Sequence, residues 1–103
     1  MSDSVLQRLQ AWYLSECNED WEHQYGVTID TLDNPGWLLT IDLVETSMEG
    51  RTTPGTRIDR TESDWIQFQS DGSKYQSAGG ALNLEEMIET FLTWVSLDPE
   101  NAG

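Results

Sequence analysis

Cysteine and histidine occur once each, proline three times, and lysine and arginine together only five times in 103 residues. One cysteine excludes an intramolecular disulfide. With one histidine and no second thiol, no zinc motif can be assembled, and no acidic spacing matches a calcium loop. No apolar run approaches the ~18 residues of a membrane span, and the N-terminus lacks the charged, apolar and small-residue succession of a signal peptide. The chain therefore reads as soluble and cytoplasmic. Against its five bases stand nineteen acids, a formal net charge of -14. Nucleic acid and anionic membranes would repel such a chain, whereas a basic protein would be steered toward it. Apolar residues still make up 37% and aromatics 10%, enough to exclude a disordered chain. The length fits one domain, 1–103, around one core.

Periodicity then divides the chain. Residues 3–17 place Leu6, Leu9, Tyr13 and Cys17 at helical spacing, widened by Val5 and Trp12, with Ser2 or Asp3 as N-cap. NEDWEHQ has neither period and predicts a loop or short irregular turn. YGVTIDTL and WLLTIDLVET, on either side of DNPG, are β-branched period-two runs that predict a hairpin. If paired residue numbers sum to 70, Val27 faces Leu43, Ile29 faces Ile41 and Thr31 faces Leu39, while Asp30 and Asp42 share the opposite, polar face. A slip by one would mix the faces, so the even register is expected. Residues 45–63 are rich in Thr, Ser, Gly, Pro and Arg and predict a long loop or irregular edge. DWIQFQS and KYQSA, joined at Asp71-Gly72, predict a second hairpin that ends at Gly79 and Gly80. A final helix presents Leu84, Met87, Ile88, Phe91, Leu92 and Val95 on one face, with Asn83 and Glu86 as a capping box and Pro99 as its stop. The last residues, 101–103, should fray. The expected fold is α+β, in the order α-β-β-β-β-α: an antiparallel sheet of about four strands, its apolar face covered by the N- and C-terminal helices.

Three chemistries compete for the crowded stretch CNEDWEHQYGVTIDTLDNPGW, residues 17–37. A Cys17 nucleophile with His23 as base is countered by the place of Cys17 on the apolar stripe, since a buried thiol is inert. A metal site from Asp20, Glu22, His23, Asp30, Asp33 or Asp42 lacks a spacing motif, so no metal and no cofactor is assigned. Asp30 and Asp42 could lie diagonally on the sheet's outer face, but nothing marks a cleft that would raise one pKa for glycoside hydrolysis. Against these three stands a protein-binding surface. Trp12 and Trp94 fall on helical stripes and belong to the core, whereas Trp21, Trp37 and Trp65 stand among acids or point away from the helices. Aromatic anchors ringed by carboxylates suit a basic partner. Trp21 and Trp37 would serve equally as a structural lock.

WYLSECNEDWEHQYGVTIDTLDNPGWLLTIDL, followed by the strand at Asp64-Trp65 and a last helix carrying FLTWV, resembles the immunity protein 53 family. The likeness is densest at Trp21-Glu22, at the strand after Gly26 and at TLDNPGW, Thr31 to Trp37. The segment from Ser47 to Ser63 adds nothing to it. That family belongs to bacterial polymorphic toxin systems, in which the immunity protein is encoded beside the toxin it neutralises. The resemblance implies a binding protein without catalysis, whose partner is a cognate toxin domain. The charge suggests a basic toxin, and a nuclease would be one such. The expected contact residues are Trp21, Glu22, Asp30, Asp33, Trp37, Asp42 and Trp65. The alternatives are a small-ligand or metal-binding protein or enzyme using the region from Trp21 to Asp42, and a homodimer formed through the Trp65 face or a free sheet edge.

Overall fold

A computed structural model of the chain describes residues 4–33 and 35–96. Helix α1 spans Val5–Glu16 and a one-turn helix α2 spans Trp21–Gln24. The strands are β1 (Val27–Leu32), β2 (Gly36–Asp42), β3 (Thr52–Asp59), β4 (Trp65–Asp71) and β5 (Lys74–Gly80), and helix α3 spans Leu84–Ser96. All strand pairs are antiparallel, in the order β1-β2-β5-β4-β3. The fold is thus α+β, with five strands among the described residues where about four are expected. No helix among the described residues is long and apolar enough to cross a membrane.

The additional strand, β3, lies inside the stretch read as a loop or irregular edge. It carries no apolar period, its pairing with β4 shifts between Thr53 and Thr56, and Pro54 sits in that shift. Proline is tolerated there because an edge strand does not need its outward N–H. The chain reaches this far edge by crossing from β2 through residues 43–51. The crossing is tied down where Leu43 N–H donates to Ser73 O and Gly50 N–H to Gly72 O, at 2.8 Å each. Buried Leu43, Thr46 and Met48 close that end of the core.

The β1–β2 register keeps the expected parity but slides by two residues. Val27 pairs with Ile41, Ile29 with Leu39 and Thr31 with Trp37, so pair numbers sum to 68. Parity is what the hydrophobic pattern enforces, since a two-residue slide leaves every side chain on its own face. The turn between Leu32 and Gly36 is correspondingly one residue longer than the tightest hairpin turn, and Asn34 at its tip lies outside the described residues. The second hairpin turns at Asp71-Gly72 as expected. The Asp71 carboxylate accepts the N–H groups of Ser73 and Lys74 at 2.9 Å, and Gly72 takes φ +94°, which favours glycine.

On the helix side, successive strands contribute the rows Val27, Ile41, Tyr75, Ser70 and Ile29, Leu39, Ser77, Phe68. Helix α3 lies across the three central strands and buries Met87, Ile88, Phe91, Leu92 and Trp94. Its close approach needs Gly79, because a Cβ there would lie 2.8 Å from Met87 Sδ. Helix α1 rests mainly on α3 rather than on the sheet. This narrows its buried stripe to Leu9 and Trp12, flanked by Val5, Arg8 and Cys17. Leu6 and Tyr13, expected in the stripe, are 58% and 39% exposed. The helix starts one residue later than expected, with Ser4 as N-cap. Ser4 Oγ accepts the Gln7 N–H and the Gln7 side chain accepts the Ser4 N–H, a complete capping box. Ser2, Asp3, Pro99 and residues 101–103 lie outside the described residues.

Candidate functional site

The predicted residues fall in three places, and local backbone chemistry explains each. Trp21 is fully buried, the opposite of a contact residue. Asn18 Oδ1 accepts the N–H groups of Asp20 and Trp21, at 3.0 and 2.9 Å, an Asx turn that leads the chain into the short helix α2. Glu22 accepts the N–H groups of Asn18 and Glu19, at 2.9 and 2.7 Å. Backbone donors, its own N–H first and then those of Asn18 and Glu19, hold the Glu22 carboxyl below the usual range. This polar cage turns the Trp21 ring inward, edge-on to Trp12 at 6.0 Å and beside Tyr13 at 5.5 Å. The aromatic chain continues from Trp12 to Phe91 at 5.0 Å, to Tyr75 at 4.9 Å and to Trp94 at 5.2 Å. Trp21 therefore locks the fold. Cys17 is half-buried at the same end, its thiol donating to Tyr13 O at 3.3 Å, and His23 is exposed nearby without facing it in any hydrogen bond.

Trp37 lies on the helix side at the other end of the sheet. Its indole N–H donates to Ala81 O at 2.9 Å, and it packs half-buried against the core. Asp33 is exposed in the β1–β2 turn. Trp37 and Asp33 thus do not form one patch with Trp21 and Glu22.

Asp30, Asp42 and Trp65 do share a face, the one without helices. Cross-strand pairing sets Asp30, Leu38, Ala78, Gln67 and Arg57 in one row from β1 to β3. At a strand spacing of ~4.8 Å the row spans roughly 19 Å. A second row carries Thr28, Thr40, Gln76 and Gln69. Between the rows, Leu38, Ala78 and the glutamines 67, 69 and 76 line a shallow cup of about 270 Å3, walled by Gly55 of the irregular edge.

The rim of the cup is charged. Arg57 donates to both Asp59 oxygens, at 2.9 and 2.8 Å, and to Gln67 Oε1 at 2.8 Å, while its guanidinium sits 4.5 Å above the Trp65 ring. Trp65 is therefore half-buried under a cation already neutralised by Asp59. Asp42 accepts the Gly26 N–H at 3.0 Å and lies 4.0 Å from Lys74 Nζ, so it also fastens the start of β1. Asp30 is exposed, with no ion-pair partner among the described residues. The face is thus a neutral, amide-lined centre with carboxylates at its margins. Leu38, Arg57 and the three glutamines are not among the residues that the sequence singles out. Their signal was present in IQFQS and KYQS, where glutamines alternate with the core residues Ile66, Phe68 and Tyr75.

A broader groove of about 920 Å3 follows the helix side between α3 and β3, with Phe68 and Trp94 along it and Glu85, Glu86 and Glu89 at its rim. Two of these carboxylates are engaged within the chain. Arg8 reaches Glu89 at 2.7 Å, and Arg60 binds both Glu86 and Asp64. Asn83 Nδ2 donates to Asp64 at 2.9 Å and to Glu86 at 3.0 Å. In place of the expected capping box, Asn83 and Glu86 clamp the start of α3 to the β3–β4 turn. Among the described residues, no three metal-ligating side chains converge.

Comparison with curated proteins and with solved structures finds no match. Residues 6–96 match the family described as Immunity protein 53. The match begins at the second residue of α1 and ends with the last described residue of α3, so it takes in nearly all of α1 and the whole of α2, α3 and the five strands. The chain belongs to the immunity protein 53 family, whose members bind rather than catalyse.

Proposed function

We propose that this immunity protein binds its cognate toxin domain non-covalently through the uncovered sheet face and so blocks it. The observation that carries the reading is the asymmetry of the sheet. One face is filled by α3, while the other exposes Gln67, Gln69 and Gln76 and part of Leu38 around a cup floored by buried Ala78, with Asp30 and Asp42 beside it. The centre offers desolvatable contact area and amide groups of both donor and acceptor type. The margin offers the charge that governs encounter rate and selectivity. A net charge of -14 favours a basic toxin. For a nuclease toxin, the carboxylates would occupy the place of phosphates in its substrate groove.

Calorimetry with the cognate toxin domain tests the reading. The wild-type chain should bind it, and Asp30→Lys should slow association and flatten its salt dependence while leaving the fold intact. No binding by the wild-type chain would overturn the function, whereas an unchanged association rate would remove Asp30 from the surface.

A further inference from the structure

The two free edges of the sheet are unlike one another. On β3, Pro54 lacks an N–H, the Thr56 hydroxyl donates to Pro54 O at 3.1 Å, and the ladder shifts register between Thr53 and Thr56. Irregularity, proline and a basic side chain at Arg57 are features that keep a strand edge from pairing with another chain. Strand β1 has none of them. Its six residues pair with β2 without interruption, and VTIDTL contains no Pro, Gly, Lys or Arg.

Which of its backbone groups are free follows from one hydrogen bond. Asp42 N–H donates to Gly26 O at 3.0 Å, across a pair whose numbers again sum to 68. Hydrogen-bonded pairs alternate in an antiparallel ladder, so Thr28, Asp30 and Leu32 turn their N–H and C=O groups toward β2. Val27, Ile29 and Thr31 turn theirs outward. Ile29 is also 39% exposed, an apolar side chain left partly uncovered beside the edge because α3 spans only the central strands.

We infer that β1 is the docking edge for an extended segment of the basic toxin, which adds to the sheet as a sixth strand. The inference rests on the toxin-binding reading above and specifies how the surface is engaged. The edge pairs main chain with main chain, and the adjoining Asp30 row lies under the body of the partner. A second copy of the chain is a poorer occupant by charge. Self-pairing would bring Asp30 and Asp33 of two molecules to one seam and join two bodies of charge -14, whereas a basic strand complements both.

Hydrogen exchange of wild-type protein, free and with the cognate toxin domain, reads the edge without altering it. The amides of Val27, Ile29 and Thr31 should exchange rapidly in the free chain and become protected in the complex. A complex in which these three amides exchange as in the free chain would overturn the edge while leaving toxin binding intact. Absence of any complex would overturn the toxin-binding reading itself. Protection of the three amides in the free chain, together with a dimer in light scattering, would overturn the choice of partner. Ile29→Pro and Thr31→Pro supply the second measurement, because each removes one outward N–H and no β1–β2 bond. Either variant that keeps the wild-type circular dichroism should bind the toxin roughly 5- to 100-fold more weakly, with Ile29→Thr closer to wild type. Folded proline variants that bind as tightly as wild type would overturn the proposal.

Discussion

Trp21 shows how a residue's neighbours in sequence can mislead about its neighbours in space. It stands in NEDWEHQ, among acids, yet its ring is fully buried. Glu22 and Asn18 bond the backbone around it, and this leaves the indole to pack on Trp12 and Tyr13 of α1. Nothing local in the sequence signals a contact made across a turn and a helix. Trp12 and Trp94 were legible because each rides on a helical stripe. Trp21→Ala should cost about 3–5 kcal/mol, the usual range for emptying a core site of its aromatic ring. Urea unfolding measures it, and a loss below ~1 kcal/mol would mean that the ring is no lock. Asp71 carries the clearest pH dependence. The backbone N–H groups of Ser73 and Lys74, and then the Ser73 hydroxyl, lower its carboxyl to about 2. A carboxyl depressed on folding stabilises the protein above its unfolded pKa of ~3.9, and the contribution is lost as pH falls through the folded value. Asp71→Asn should therefore be less stable than wild type at pH 7, with the gap closing between about pH 4 and pH 2. Unfolding midpoints across that range test this, and a gap independent of pH would contradict it.

At the scale of elements, the sequence disclosed what period and turn chemistry control. The α3 face, the Asp71-Gly72 hairpin and the parity of β1 against β2 all follow from local pattern. The register itself did not, because a two-residue slide preserves both faces and only the turn, whose tip contains Pro35, distinguishes the alternatives. Strand β3 was obscured for a different reason. An edge strand exposed along nearly its whole length needs no apolar alternation, and Pro54-Gly55 interrupts what pattern there is. The open face was likewise half-visible, with its carboxylates and Trp65 foreseen but its glutamine centre read only as the polar side of strands. Where β5 meets α3, packing leaves no room for additional atoms. A Cβ on Gly80 would strike Ser63 O and lie 2.8 Å from Asn83 Oδ1, so it would push against the clamp that holds the β3–β4 turn. Gly80→Ala should destabilise by about 1–3 kcal/mol, as overpacking does, and should cost more than Gly26→Ala, where a Cβ meets nothing within 4 Å. Thermal unfolding of the two variants decides, and equal midpoints would contradict the packing argument.

Over the whole molecule, charge and shape serve different ends. The surplus of acids is distributed over helices, turns and the margins of the sheet, while the uncovered face keeps a neutral centre. Self-repulsion at -14 should be relieved by salt, so raising NaCl from about 10 to 150 mM should increase stability as the Debye length contracts from ~30 to ~8 Å. A fall in the urea midpoint over that range would contradict this. The same salt should slow encounter with a basic toxin, so the two effects are separable by measuring stability and association rate together. The most direct measurement is calorimetric titration of the cognate toxin domain with wild-type protein and with a folded variant carrying Asp30→Lys and Gln76→Arg on the uncovered face. The account predicts saturable binding by wild type and binding weakened at least about tenfold in the variant, since placing two cations in the contact opposes a basic partner. Equal affinity for the two proteins would contradict it and place the toxin elsewhere on the surface.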